Sequence, residues 1–137
     1  MANIYLATSW KNEHYYRVLT LLREAGHKVY DFREKGFAFS SIAPDLDALT
    51  AAQQNELLKN PIAQEAYDKD KAALDWADIL VMLYPCGNDA HLELGYAVGQ
   101  GKFTVVYINP GYVVGLMDKV CDRFVFTDRE LLEAVRT

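Results

Sequence analysis

The segment from Asp78 to Lys102 constrains the fold more than any other part of the chain. It begins with an unbroken apolar run, Ile79-Leu80-Val81-Met82-Leu83-Tyr84. The turn residues Pro85-Cys86-Gly87-Asn88-Asp89 follow, and then a glycine-punctuated helical stretch that ends at Gly101. An apolar run without alternation suits a central strand of a parallel sheet, buried on both faces. A helix that starts just past the carboxyl end of such a strand stands where open α/β sheets bind ligands. Glu93 falls in the early turns of that helix, between Leu92 and Leu94. A carboxylate in that setting is a candidate for chemistry.

The rest of the chain alternates in the same way. Ile4 to Ala7 reads as a strand. Over 12–25, Tyr15, Val18, Leu19, Leu22 and Ala25 recur at helical spacing, and Gly26 stops the helix. His27 to Phe32 is a second strand, and Arg33 to Pro44 is irregular. Asp45 to Leu58 and Ile62 to Trp76 read as two helices parted at Asn60-Pro61, where the residue before proline disfavours helix. Phe103 to Ile108 is a fourth strand, Val114–Val120 a short helical piece and Arg123 to Phe126 a fifth strand. Thr127-Asp128-Arg129-Glu130 has the form of a capping box opening a last helix. Strands alternating with helices predict a parallel sheet covered on both faces, within a single domain over 1–137.

Charge and composition narrow the partners. The net charge of -5 argues against duplex nucleic acid, which needs a basic face. A single nucleotide, needing only a few donors, stays open. No apolar run reaches the length of a membrane helix. The opening Met1-Ala2-Asn3-Ile4 enters a strand pattern without a basic region or cleavage site. Two cysteines, Cys86 and Cys121, are too few for a disulfide framework, so a reducing cytoplasm is the expected location.

Three residues form a candidate constellation. Tyr5 lies near the end of the first strand, Asp70 on the helix before the third, and Glu93 on the helix after it. In a doubly wound sheet the first and third strands can be neighbours, which brings Tyr5 and Glu93 to one crevice. Asp70 reaches that crevice only if its helix is long or tilted. A phenol hydrogen-bonded to a carboxylate orients it and favours the ionised form, as does the positive end of a helix. A second carboxyl group in a different environment can carry a proton.

These residues resemble the nucleoside 2-deoxyribosyltransferase family and the related nucleoside 5'-monophosphate N-glycosidases. Ile4-Tyr5-Leu6-Ala7-Thr8-Ser9-Trp10 is similar to the family's first strand and loop. Asp70, eight positions before Asp78 in Asp78-Ile79-Leu80-Val81, resembles the aspartate that works on the base. His91-Leu92-Glu93-Leu94-Gly95-Tyr96-Ala97 is the strongest match and puts Glu93 on the family nucleophile. Val114-Gly115-Leu116-Met117 is similar to the segment that a neighbouring subunit lends to the pocket.

The resemblance implies a flavodoxin-like, Rossmann-like, doubly wound five-stranded parallel sheet with helices on both faces. It implies an enzyme that breaks the bond between a base and C1' of a deoxyribose without metal or cofactor. Glu93 would attack C1', Tyr5 would position it, and Asp70 or Asp89 would deliver the proton to the base. Ser9 and Lys11 fall where the N-glycosidases hold a 5'-phosphate with serine and arginine. Read from the residues, Trp10 and the Phe37-Ala38-Phe39 pair can wall a base pocket by stacking or equally cap the core edge, and Gly87, Asn88, Asp89 and Met117 are expected to complete the pocket. The expected partners are a small nucleoside or nucleotide and a second copy of the chain.

The sequence also departs from the family. Six positions before Glu93, where the transferases carry an acid and the N-glycosidases a serine, stands Gly87, with Asn88 and Asp89 after it. Gly115 replaces the asparagine with which the transferases hold the sugar 5'-hydroxyl. The chain therefore falls between the two subfamilies, with transfer and hydrolysis both open. A silent nucleotide-binding domain is the remaining alternative.

Taken singly, each residue has a plainer reading. Glu93 can be a solvated helix residue, Asp70 a surface charge within Asp68-Lys69-Asp70-Lys71, Tyr5 a strand aromatic, and Ser9 and Lys11 ordinary loop residues. Other chemistries fail on spacing. Cys86 precedes a helix N-terminus, which favours a thiolate, but the arginine of a Cys-based phosphatase loop is Leu92 here. Cys86 and His91 lack a second ligand pair for zinc.

Overall fold

A computed structural model describes residues 1–34, 42–43 and 45–136. The chain gathers into two compact units, one formed by 1–31 with 74–137, the other by 32–73. The first unit holds the whole sheet. Its strands are β1 (Asn3–Ala7), β2 (Lys28–Tyr30), β3 (Ile79–Leu83), β4 (Phe103–Tyr107) and β5 (Arg123–Val125). Their order is β2-β1-β3-β4-β5 and every pairing is parallel, the flavodoxin-like doubly wound arrangement that the βα alternation predicts.

Burial explains the strand order. All five residues of β3 are buried, as an unbroken apolar run in a central strand requires. In register, Tyr5 of β1 lies between Tyr30 of β2 and Leu80 of β3. Three helices complete this unit: α1 (Tyr15–Glu24), α4 (Asn88–Gly99) and α5 (Asp128–Ala134). Helix α1 buries Tyr15, Val18, Leu19 and Leu22, the stripe read from the sequence. Gly26, at φ +98°, turns the chain into β2, a conformation open to glycine without penalty. From the neighbouring β1 and β3 the chain winds outward in opposite directions. Right-handed crossovers therefore put α1 and α4 on opposite faces, and α4 packs on β1, β3 and β4.

The second unit carries a short 3-10 turn (Leu46–Ala48), α2 (Ala51–Leu57) and most of α3 (Pro61–Trp76). The single helix expected over 45–58 is divided. Thr50 caps α2, accepting from Gln53 N while its own N–H donates to the Gln53 side chain. This capping box starts the helix afresh at Ala51. Proline opens α3 at its first position, where a missing N–H costs nothing, and Asn60 Oδ1 accepts from Ile62 N at 2.8 Å.

Candidate active site

The crevice lies at the carboxyl edge of the sheet, where the loops after β1 and β3 diverge, the ligand position of a topological switch point. Two buried asparagines hold the loop after β3, Asn12 from the loop after β1 and Asn109 from the loop after β4. Asn12, 1% exposed, directs Nδ2 at Thr8 Oγ1 (2.9 Å) and at the carbonyls of Pro85 (3.2 Å) and Leu83 (3.3 Å). Its Oδ1 accepts from His14 N at 2.8 Å and so leads into α1. The Thr8 hydroxyl donates to Leu83 O at 2.7 Å. On the other side of β3, the buried Asn109 donates to Tyr84 O. The turn between β3 and α4 is thus held from both flanks by side-chain amides that satisfy its backbone carbonyls.

Within this frame the structure brings Tyr5 and Glu93 together. The Tyr5 hydroxyl donates to Glu93 Oε2, and Tyr5 itself is 1% exposed. Its ring stacks on Tyr30 with centroids 5.5 Å apart, so the phenol is rigidly aimed. Glu93 is half-buried on α4. It is the sixth residue of that helix, and the dipole's influence fades within the first turn. The Tyr5 hydroxyl is therefore the stronger of the two influences expected on this carboxylate. Asp89 lies one helical turn earlier on the same face, four residues before Glu93.

A second cluster lies beside the first. Asp118, 2% exposed, sits in a 3-10 turn over Leu116–Val120. It accepts from the Tyr84 hydroxyl and from Gly115 N at 3.1 Å, and its Oδ1 lies 3.1 Å from His91 Nε2. Burial first, and the bond to Asp118 second, push the Tyr84 phenol up to about 12. Burial and then the Asp118 charge push the Cys86 thiol up to about 12 as well. The helix N-terminus behind Cys86 therefore does not yield a thiolate here.

The other residues singled out in the sequence are placed as follows. Ser9 is half-buried, and Trp10 and Lys11 are exposed, in the loop after β1; Ser9 Oγ accepts from Lys11 N at 3.3 Å. Gly87 caps α4 without a side-chain bond, and Asn88 and Asp89 are exposed in its first turn. Met117 is 72% exposed. Asp70 is half-buried on α3 in the second unit. Phe37 lies outside the described residues. Asp78, a marker in the sequence, accepts from Asn3 N at 3.0 Å where β1 begins, at the edge of the sheet opposite the crevice.

Asn12, Asn109, Tyr84 and Asp118 were not singled out by sequence reasoning. The usable signal was an asparagine just after a strand in two separate βα units. Asp118 gave none, because its role depends on Tyr84 and His91 meeting it in space. Among the described residues no group of three or more His, Cys, Asp or Glu side chains is gathered as a metal site. Nor is any helix among them long and apolar enough to cross a membrane.

No family model and no curated protein matches the sequence. Solved structures do. A 2-deoxyribosyltransferase from the psychrotolerant bacterium Bacillus psychrosaccharolyticus superposes with a TM-score of 0.68 at 21% identity, over 94% of this chain and 89% of that one. A conserved protein from Enterococcus faecalis V583 gives 0.64 at 16% identity, over 98% and 96%. The Clostridium botulinum CMP N-glycosidase BcmB gives 0.55 at 15% identity, over 95% and 95%. This chain therefore has the fold of a 2-deoxyribosyltransferase and of a CMP N-glycosidase, the two kinds of protein that its sequence resembles.

Proposed function

We propose that this chain cleaves the N-glycosidic bond of 2'-deoxynucleosides and transfers the deoxyribosyl group to another base, with Glu93 as nucleophile. The observation that carries the reading is the buried Tyr5 phenol donating to Glu93 at the switch-point crevice. A Glu93 oxygen attacks C1' as the C1'–N bond breaks, through a transition state of oxocarbenium character. The bonding pair leaves with the base, which takes a proton from Asp89. The sugar is held as an ester on Glu93. A nitrogen of a second base then attacks C1' and returns the carboxylate. Tyr5 orients the nucleophile, Trp10 walls the base, and Gly87, Asn88 and Asp89 border the sugar and base. A second copy of the chain covers the pocket with Leu116 and Met117.

Hydrolysis of nucleoside 5'-monophosphates is the second reading. It is favoured by Ser9 and the exposed Lys11 in the loop after β1, where the Lys11 backbone N–H donates to Ser9 Oγ, and by the likeness to a CMP N-glycosidase. The test is free-base release from a panel of nucleosides and their 5'-monophosphates, with and without an acceptor base. Transfer predicts exchange of bases on nucleosides, and hydrolysis predicts base release from monophosphates without an acceptor. Release from none of them refutes both and leaves a binding domain.

A further inference from the structure

His91 has acceptors at both ring nitrogens. Nδ1 lies 2.9 Å from Gly87 O, and Nε2 lies 3.1 Å from Asp118 Oδ1. The other neighbour of Nε2 is the Tyr84 hydroxyl at 3.4 Å, whose hydrogen is committed to Asp118 Oδ2. A carbonyl only accepts, so Nδ1 carries a hydrogen toward Gly87 O, and a proton on Nε2 would turn its close approach to Asp118 into an ion pair. The Tyr84 ring meets the imidazole edge-on, with centroids 5.9 Å apart.

This ring connects two parts of the site. It is anchored on α4, two residues before Glu93 and over the carbonyl of the helix cap. Its far side holds Asp118, the buried residue around which the Leu116–Val120 turn is folded. The apolar side chains of that turn point away from the chain, with Leu116 84% and Met117 72% exposed. The groups facing the pair are Tyr84 at the end of β3 and the Gly115 N–H, with Cys86 and Cys121 near enough to feel the Asp118 charge.

We propose that His91, as an imidazolium, is a positioning residue that latches the Leu116–Val120 turn to α4 through Asp118, so that the presentation of Leu116 and Met117 depends on the protonation of one ring. Loss of that proton removes the charge opposite Asp118, leaving the turn held by Tyr84 and Gly115. The inference rests on the proposed function only where it bears on turnover.

The test is hydrogen–deuterium exchange of residues 115–121 in the full chain, corrected for intrinsic rates, compared between mildly acid and mildly alkaline pH. The parent is expected to lose protection by about tenfold or more as the pH rises, the scale of one charge-assisted hydrogen bond. His91→Ala should exchange fast under both conditions. His91→Gln keeps a donor without a titrating proton and should be flat with pH. Parent protection that does not change with pH, or His91→Ala protected like the parent at low pH, overturns the latch. Turnover is read in parallel: kcat for base release should fall together with the protection, and this fall should vanish in His91→Gln. Exchange behaving as expected with no base released from any substrate supports the latch and refutes the proposed function instead, so the two failures are distinguishable.

Discussion

At the scale of single residues, the account turns on a phenol and a carboxylate that are far apart in sequence and bonded in the fold. Tyr5→Phe removes the hydroxyl and keeps the ring on Tyr30. Turnover is expected to fall about tenfold to a hundredfold, matching the ~1.5–3 kcal/mol of a hydrogen bond to a charged group, with little change in melting. Unchanged kinetics would remove Tyr5 from the mechanism. For the monophosphate reading, Lys11→Ala should erase any preference for 5'-monophosphates, measured as the ratio of kcat/KM values with and without the phosphate. The meeting of Tyr5 and Glu93 was legible because a doubly wound sheet can make the first and third strands neighbours, and the family resemblance pointed to both residues. Asn12, Asn109 and Asp118 were not, because a polar residue after a strand reads as a solvated loop until its buried partners are known.

At the scale of elements, the sequence pattern located the strands and α-helices of the described residues but misjudged some ends and read the 3-10 turn over Leu46–Ala48 and α2 as one helix. Strand β2 is only Lys28–Tyr30, shorter than its apolar pattern. Helix α1 begins at Tyr15 because the Asn12 side chain takes the His14 N–H and holds 12–14 in a turn. Thr50-Ala51-Ala52-Gln53 carried a capping-box signal within a stretch read as one helix. Asn12→Ala leaves buried carbonyls of the β3–α4 turn without their donor. It should cost about 1–3 kcal/mol, measured by denaturant unfolding; a midpoint equal to the parent's would show the loops are held some other way. Helices α1 and α5 are joined by Arg17 and Asp128, with Tyr107 also donating to Asp128 at 2.6 Å. Burial alone would raise the Asp128 carboxyl, but the hydrogen bonds from Arg17 and Tyr107 outweigh it and hold it below the ordinary range. A depressed folded value gives stability that is present above the unfolded value and is lost as the pH falls through the folded one. Both partners are more than a third exposed, so solvent screening keeps the effect small. Asp128→Asn should therefore melt slightly below the parent at neutral pH. That gap should close as the pH drops below about 4, and a gap that stays constant down to low pH would contradict the assignment.

At the scale of the whole molecule, the doubly wound sheet was legible because alternating strands and helices leave few topologies once crossovers are right-handed. The clustering of 32–73 as a unit of its own was not, since no linker or shift in composition marks its borders. The described surface shows one concentrated apolar stretch, with Tyr112, Val113, Val114, Leu116 and Met117 all exposed. Such a patch marks an interaction site, and a second copy of the chain is the occupant expected here. Light scattering at micromolar concentration should give at least a dimer, and Met117→Asp should dissociate it and lower turnover, because the charge would be buried without a partner. A fully active monomer would refute the shared site. The central claim, that Glu93 is the nucleophile for glycosidic cleavage, is tested most directly by base release from a deoxynucleoside by the parent and by Glu93→Gln at equal melting temperature. The account predicts a loss of roughly a thousandfold or more in the variant, the scale on which removing a nucleophile acts. Activity within about tenfold of the parent, in a variant that melts alike, would contradict it.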